Sequence, residues 1–341
     1  HKENAAARKG GSVYLGILLG TSIGLLLPAI ILTWVLTGTA EFSLGGILAE
    51  RLDANSPVVL VLLLLFAFGI GKAALMPIHP WLPNAMVAPT PVSAFLHAVA
   101  VVKAGVFGVL KVAVYIFGID FLAAGSASDV VMWLAAFSIL AASAIAMTQD
   151  NLKARLAYST VGQLSYVTLG AMLATSMGVM GGATQIAAHA VGKMTLFMCA
   201  GAIYVSLHKS LISDMRGTGW KMPVTWMVYI IGACSIIGLP PMAGSWPKFF
   251  LMLSSVDAGH LMLIGVLILS SLMNIVYLLA PPVRAFMDPP LGGGAKPREV
   301  TEAPFFCLLP LILTGIGTVV LFFLMGPLTQ YLQPLITGGA Q

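Results

Sequence analysis

Apolar residues run along this chain in long stretches separated by short polar segments: Val13 to Leu36, Pro57 to Gly71, Val130 to Met147 and Leu261 to Ala280. Runs of about twenty residues match the roughly 30 Å hydrocarbon core of a bilayer when wound into helix. They lack the every-second-residue alternation and the roughly ten-residue length of barrel strands, so the pattern predicts helices. Nine spans are expected, at about 13–37, 57–75, 91–117, 129–148, 152–174, 182–207, 223–253, 259–281 and 303–325. A buried helix in a water-soluble protein can give one such run, but not so many in succession with so little polar surface left over.

Composition reinforces the pattern. Hydrophobic residues are 59% of the 341 and charged residues 9%, against about 25% charged in an average soluble domain. With the N-terminus placed inside, the inner segments hold Lys2, Arg8, Lys9, Lys153, Arg155, Lys209, Arg216, Lys221, Arg284, Lys296 and Arg298, and the outer segments hold Arg51. Positive residues concentrate on the cytoplasmic side of membrane proteins, so the expectation is an inner N-terminus and an outer C-terminus in a bacterial or archaeal cytoplasmic membrane. The opening HKENAAARKGG has no apolar core of a signal peptide and reads as a loop between two spans, with the expectation that further helices precede it.

Cys199, Cys234 and Cys307 all fall in apolar spans, without a CxxC or a Cys/His cluster; they read as small packing residues rather than disulfides or metal ligands. No glycine-rich phosphate motif opens a helix after a strand, and Gly292-Gly293-Gly294 reads as a loose loop. No cofactor, redox site or hydrolytic site is expected in this chain, and such chemistry is assigned to other subunits.

The informative charges are inside the spans. Of the 17 lysines and arginines, Lys72, Lys103, Lys111, Lys193 and Lys248 fall within apolar runs. A lysine at the centre of a spanning helix costs about 2.5–3.5 kcal/mol. Lys111, near an outer end with Tyr115 a turn on, can snorkel to the headgroups; the other four read as bundle-facing. All 12 carboxylates fall outside the spans: Glu41, Glu50, Asp53, Asp120, Asp129 and Asp257 on one side, Glu3, Asp150, Asp214, Asp288, Glu299 and Glu302 on the other. A desolvated lysine without a counter-ion releases and rebinds a proton more readily than one in water. His189 and Lys193 stand at i and i+4, one turn apart on a single helix face, and imidazole passes protons between its two nitrogens. His97 and Lys103, six residues apart on one helix, are expected to face different sides. His79 lies among prolines and can equally fix a loop. Tyr158, Ser159, Gln163 and Ser165 form a polar stripe on the fifth span that suits water or, equally, helix–helix hydrogen bonds.

Prolines interrupt two spans. Pro77, Pro80 and Pro83 break one just after Lys72, and Gly238, Pro240 and Pro241 break another just before Lys248. A proline frees carbonyls that then need protein or water partners, and paired breaks of this kind point to the transport site in repeat-built transporters.

These segments resemble a known family. The stretch from Lys72 to Lys103, with HPWLPNAMVAPTPVSAFLHAVAVVKAG, is similar to the seventh and eighth helices of antiporter-like subunits of respiratory complex I (NADH:quinone oxidoreductase), Mrp-type cation/proton antiporters and membrane-bound hydrogenases. DNLKARLAYSTVGQLSY at 150–166 resembles the tenth helix, HAVGK at 189–193 the eleventh, and IGLPPMAGSWPK at 237–248 the broken twelfth. The wording around Ile212-Ser-Asp-Met-Arg-Gly leans toward the Mrp D-type. The resemblance implies an all-α integral membrane fold in which nine helices, two of them broken, correspond to helices six to fourteen of a fourteen-helix inverted-repeat fold. It divides the chain into residues 1–118, the end of the first repeat; 119–285, a complete second five-helix repeat; and 286–341, a loop and the last helix. It implies that Lys72 is the central lysine of one half-channel, that Lys103, His189 and Lys193 lie on a connecting axis, and that Lys248 ends the second. The family pairs its first lysine with a glutamate on the fifth helix, so a partner or a further segment is expected to supply a carboxylate near Lys72.

Three functions compete at this stage: a proton-conducting module of a redox-driven complex, part of a secondary antiporter exchanging protons for sodium or another monovalent cation, and a non-conducting scaffold. Buried lysines weigh against a scaffold, which leucine would serve better. Sodium prefers oxygen ligands, and the spans hold no carboxylate. The expectation is therefore a relay Lys72, Lys103, His189, Lys193, Lys248, assisted by His97, His79 and Ser159, in contact with lipid and other membrane subunits and without nucleic acid.

Overall fold

The computed structural model describes residues 5–289 and 299–337. Lys2, Glu3, Lys296, Arg298 and the Gly292–Gly294 segment of the sequence reading lie outside them. Among the described residues every regular element is helical. Helix α1 runs Ala5–Thr21 and continues through a π-helical turn at Ser22–Leu26 into Leu27–Thr37. Then come α2 (Pro57–Gly69), α3 (Thr90–Phe117), α4 (Ala127–Thr148), α5 (Leu152–Met172) and α6 (Ser176–Leu207). Helices α7 (Pro223–Ile237), α8 (Ser245–Asp257), α9 (Leu261–Met287), α10 (Phe305–Phe323) and α11 (Met325–Thr337) complete the chain.

Six of these rods are long and apolar enough to cross a membrane by length and composition: α1, α3, α4, α6, α9 and α10. The shorter α2 and α7 are the first arms of the two interrupted spans. Helix α5 is less apolar for a physical reason: 18 of its 21 residues are buried, so its polar side chains meet protein and not lipid. Local chemistry sets the starts of the two central helices. Asn151 accepts the Ala154 amide at 3.1 Å to cap α5, and Thr175 accepts the Gly178 amide at 2.9 Å to cap α6; each satisfies a donor that the first helical turn leaves free.

Helix α6 is the hub, packing against α5, α7, α8, α10 and α3. Large apolar residues such as Ile23, Trp34, Phe137, Leu272 and Phe306 remain exposed around the rim, as a lipid-facing surface requires.

Two expectations need correction. The N-terminal stretch read as a loop is helical from Ala5, because its run of alanines with Arg8 and Lys9 is strong helix former. The tail read as ending in one helix carries a second, α11, which packs against α6; Pro327 and Pro334 disguise it in the sequence.

Candidate functional site

The first interruption follows α2. The chain leaves the helix at Gly69, takes a 3-10 turn at Gly71–Ala73, and passes through a cis Met76–Pro77 bond to a short helix at Trp81–Asn84. Freed backbone groups find side-chain partners: the Trp81 indole donates to Gly71 O at 3.0 Å, and the Met76 amide donates to Ser138 Oγ at 3.3 Å. Helix α3 presses directly on this turn. A Cβ at Gly105 would stand 2.4 Å from Ala73 N and from Lys72 C, so only glycine admits the approach.

Lys72 is a correction. It was expected to be buried within the bundle, yet it is exposed and lines a lateral cleft of about 470 Å³ between α1, α2 and α3. Its backbone belongs to the 3-10 turn Gly71–Ala73 that follows α2. Lys111 lines the same cleft: its ammonium lies 4.0 Å over the Phe42 ring, with Phe107 and Tyr115 at 5.9 and 5.8 Å. Its stem thus runs toward the aromatic ring of Phe42 near the end of the span, where a cation–π contact holds the ammonium.

Lys103, His189 and Lys193 do come together. Lys103, on α3, places its Nζ in direct contact with Nδ1 of His189 on α6. An ammonium donating to Nδ1 puts the neutral imidazole's own hydrogen on Nε2, and that buried nitrogen has no hydrogen-bond partner. Lys193, one turn further along α6, is 0% exposed and donates to Leu156 O on α5 at 3.0 Å. The ion pairs among the described residues, Arg216–Asp288 and His260–Asp129, involve none of these lysines. His97 is also fully buried, with both ring nitrogens unpartnered and its ring 5.2 Å from Phe197. Phe197 is on α6, so His97 and Lys103 both pack against that helix, at Phe197 and His189 respectively. A π turn at Phe95–Val99, closed by Ala100 N to Phe95 O at 3.1 Å, lies between them; its wider winding shifts the angular offset that a regular helix would give.

The second interruption separates α7 from α8. Gly238 ends α7 at φ +93°, a left-handed conformation that favours glycine, and a cis Pro240–Pro241 bond follows. The Ala243 amide ties the loop to Thr318 O on α10 at 3.0 Å. Lys248, at the start of α8, turns back across the break, donating to Ile237 O at 2.6 Å and to Ser271 Oγ at 3.0 Å. Its ammonium lies 5.3 Å from the centre of the Tyr166 ring.

Ser159 is buried, and its hydroxyl shares a hydrogen bond with that of Tyr277 at 2.9 Å. His79 is partly buried, 6.2 Å from Tyr158, with Nδ1 unpartnered, and stands apart from the lysines' direct contacts.

Sequence reasoning named Gln163 in its polar stripe but missed Gln185 and Tyr166, the residues that join it toward His189 and Lys248. Gln185 continues the His189–Lys193 face one turn back and donates to Gln163 Oε1 on α5 at 2.7 Å. One turn beyond Gln163 is Tyr166, buried, its hydroxyl unpartnered and its ring beside Lys248. The four-residue spacing of 185, 189 and 193 was the available signal. Lys103, His189, Gln185, Gln163, Tyr166 and Lys248 thus form a polar row across an apolar bundle. Each member can donate or accept a hydrogen bond.

Comparison with known proteins places this geometry. The family described as NADH:quinone oxidoreductase/Mrp antiporter, TM, matches residues 2–274. NADH-quinone oxidoreductase subunit N of Desulforudis audaxviator is 33% identical over 303 residues, covering 84% of this chain and 59% of that protein. NAD(P)H-quinone oxidoreductase chain 5 of Picosynechococcus is 35% identical over 242 residues, covering 66% of this chain and 35% of that one. The chain therefore spans about 59% and 35% of the length of these curated relatives. Among solved structures, a chain of the Mrp complex from Dietzia superimposes with a TM-score of 0.81 at 21% identity, over 95% of this chain and 67% of that one. A chain of respiratory complex I from Thermus thermophilus gives 0.81 at 23% identity, over 97% and 68%.

Proposed function

The chain belongs to the NADH:quinone oxidoreductase/Mrp antiporter family, and from that premise we propose that it conducts protons within a larger membrane complex. It is an integral membrane protein with the fold of the membrane chains in Mrp and complex I assemblies. The observation that carries the reading is the row of lysines and imidazole inside the bundle, held by carbonyls, hydroxyls and rings without a carboxylate ion pair. A scaffold would gain stability by replacing such residues with leucine.

In this reading a proton on Lys103 passes to His189 Nδ1, the imidazole releases its other hydrogen from Nε2, and Lys193 biases the step through its charge. The Gln185–Gln163 pair and Tyr166 lead onward to Lys248. Two repeats meeting at this row, the earlier represented by residues 1–118 and the later by 119–285, account for the paired breaks. Lys72 joins when a carboxylate from a neighbouring helix enters its cleft, so the first half of the relay is completed by a partner. The excess of lysine and arginine at Lys153, Arg155, Lys209, Arg216 and Lys221 favours that end as the cytoplasmic one. The lean toward an Mrp D-type rests on the segment around Ile212.

The test is Lys193→Met in the assembled complex, with proton uptake measured in liposomes. Uptake is expected to fall to background while assembly stays normal; parental uptake in an assembled variant removes the relay. Exchange of protons for sodium or another monovalent cation is the second reading. Flavin, iron–sulfur or nickel subunits in the purified complex select the redox-driven form, and small hydrophobic subunits alone select the antiporter.

A further inference from the structure

Beside the relay runs a second set of polar groups, between α4, α5 and α9. From Lys248 it starts at Ser271 Oγ, 3.0 Å away. The adjacent Ser270 hydroxyl lies 3.4 Å from that of Ser143 on α4. One turn further along α9, Asn274 accepts the Tyr277 hydroxyl at 2.5 Å, and the same hydroxyl reaches Ser159 Oγ at 2.9 Å. Ser143, Ser159, Ser270, Asn274 and Tyr277 are all buried, and Asn274 Nδ2 has no partner. The order of positions along α9 and α4 carries this ladder from mid-bundle toward the lysine- and arginine-rich end. A continuous ladder would short-circuit the relay by giving Lys248 its own route to that aqueous side.

Arg155 closes it. It lies one turn from Ser159 on α5, on the side of the rich end, and only 8% of it is exposed. Its guanidinium donates to Gln149 O from Nε at 2.9 Å, to Tyr277 O from Nη1 at 3.1 Å and to Met147 O from Nη2 at 3.5 Å. Tyr277 O is available because Pro281, four residues on, has no amide to offer it. All three partners are neutral carbonyls. Asp150, the acid nearest in sequence, is instead held by the Ser213 amide and hydroxyl at 3.1 and 2.7 Å. A guanidinium stays charged at every working pH. Asp150 acts on Arg155 only through space, and a fixed cation whose hydrogen bonds all go to neutral carbonyls repels an arriving proton, as arginines do in pores that must exclude protons.

We propose that Arg155 is an electrostatic plug that seals this hydroxyl ladder from the lysine- and arginine-rich aqueous end, so that protons reach Lys248 only through the relay. The proposal rests on the proton-conduction reading. It makes Arg155 a positioning and insulating residue that holds no relayed proton. A clamp that merely ties α5 to α9 would leave passive proton permeability unchanged so long as the bundle assembled.

The experiment uses the assembled complex in liposomes loaded with pyranine, with no energy source and a potassium diffusion potential set by valinomycin. Arg155→Gln is expected to raise passive proton entry about tenfold or more, from the loss of one unit charge a few ångströms from the path. Arg155→Lys keeps the charge and is expected to stay tight. Arg155→Gln combined with Tyr277→Phe, which removes the hydroxyl joining two rungs, is expected to return to the parental level. An assembled Arg155→Gln as tight as the parent overturns the proposal, and so does a leak that Tyr277→Phe leaves unchanged. If Arg155→Gln does not assemble, Arg155→Met, which also removes the charge, decides: assembled vesicles that leak support the plug and tight ones overturn it. Failure of the conduction reading shows separately, as a Lys193→Met variant with full driven uptake.

Discussion

Replacing Lys248 with methionine separates the transport role proposed for that residue from its role in holding the second break. The structure allows the stability side to be worked out. The substitution removes two hydrogen bonds, to Ile237 O at 2.6 Å and Ser271 Oγ at 3.0 Å, each worth about 1.5–3 kcal/mol when the donor is charged. It also removes the cost of keeping a lysine deep in the membrane, about 2.5–3.5 kcal/mol. Methionine fills most of the space of the lysine stem and tolerates irregular surroundings. The net loss is therefore no more than about 3.5 kcal/mol, within reach of a complex that still assembles. Thermal melting of the purified complex is expected to show a modest drop, while driven proton uptake in liposomes falls to background. Lys248→Arg sharpens the comparison, since it keeps donors near Ile237 O but cannot give up its proton; it is expected to assemble and fail to conduct. Parental uptake in either assembled variant would refute the placement of Lys248 in the relay.

Two further outcomes are expected. Gly238→Ala puts a side chain at φ +93° and a Cβ 2.8 Å from Lys248 Cδ, costing about 1–2 kcal/mol for the left-handed backbone alone; melting temperature and uptake are expected to fall together, and unchanged values for both would show the break to be more pliant than its geometry implies. A zero-length carbodiimide is expected to join Lys72 to a carboxylate of a neighbouring subunit in the intact complex, with mass spectrometry locating the crosslink; a reaction that never involves Lys72 would leave its cleft without an acidic partner.

The long apolar helices were legible because each must satisfy its own backbone in lipid, which forces length and composition together. Both breaks were legible because proline and glycine act locally. The boundary at Ala5 and the extra helix α11 were not, since alanine-rich and proline-dotted polar segments carry no such constraint. At the site, His189 and Lys193 could be paired from spacing alone, and contact of Lys103 with His189 could be suspected only from the resemblance, because the two residues lie on different helices. Exposure of Lys72 escaped the sequence for a different reason. A lysine within an apolar run looks buried until the chain turns out of its helix, and only the three-dimensional course of Gly71–Ala73 shows where the side chain goes. Tyr277 and Asn274 were hidden by their apolar neighbours, although 270, 274 and 277 fall on one helical face.

The absence of an ion-paired carboxylate among the described residues of the proposed relay would set its carrying capacity. His189 and Lys193 stand one turn apart on α6, about 6 Å, and two positive charges at that separation repel by roughly 2.8 kcal/mol at an effective dielectric of about 20. Charging both at once is then roughly a hundredfold rarer than independent sites would allow. In the proposed relay, occupancy would be anticooperative: a proton settling at one station would empty its neighbour, and the row would hold close to a fixed number of charges while their positions change. Such a row works by displacement, with entry at one end and departure at the other tied to a single event, and it stores little in between.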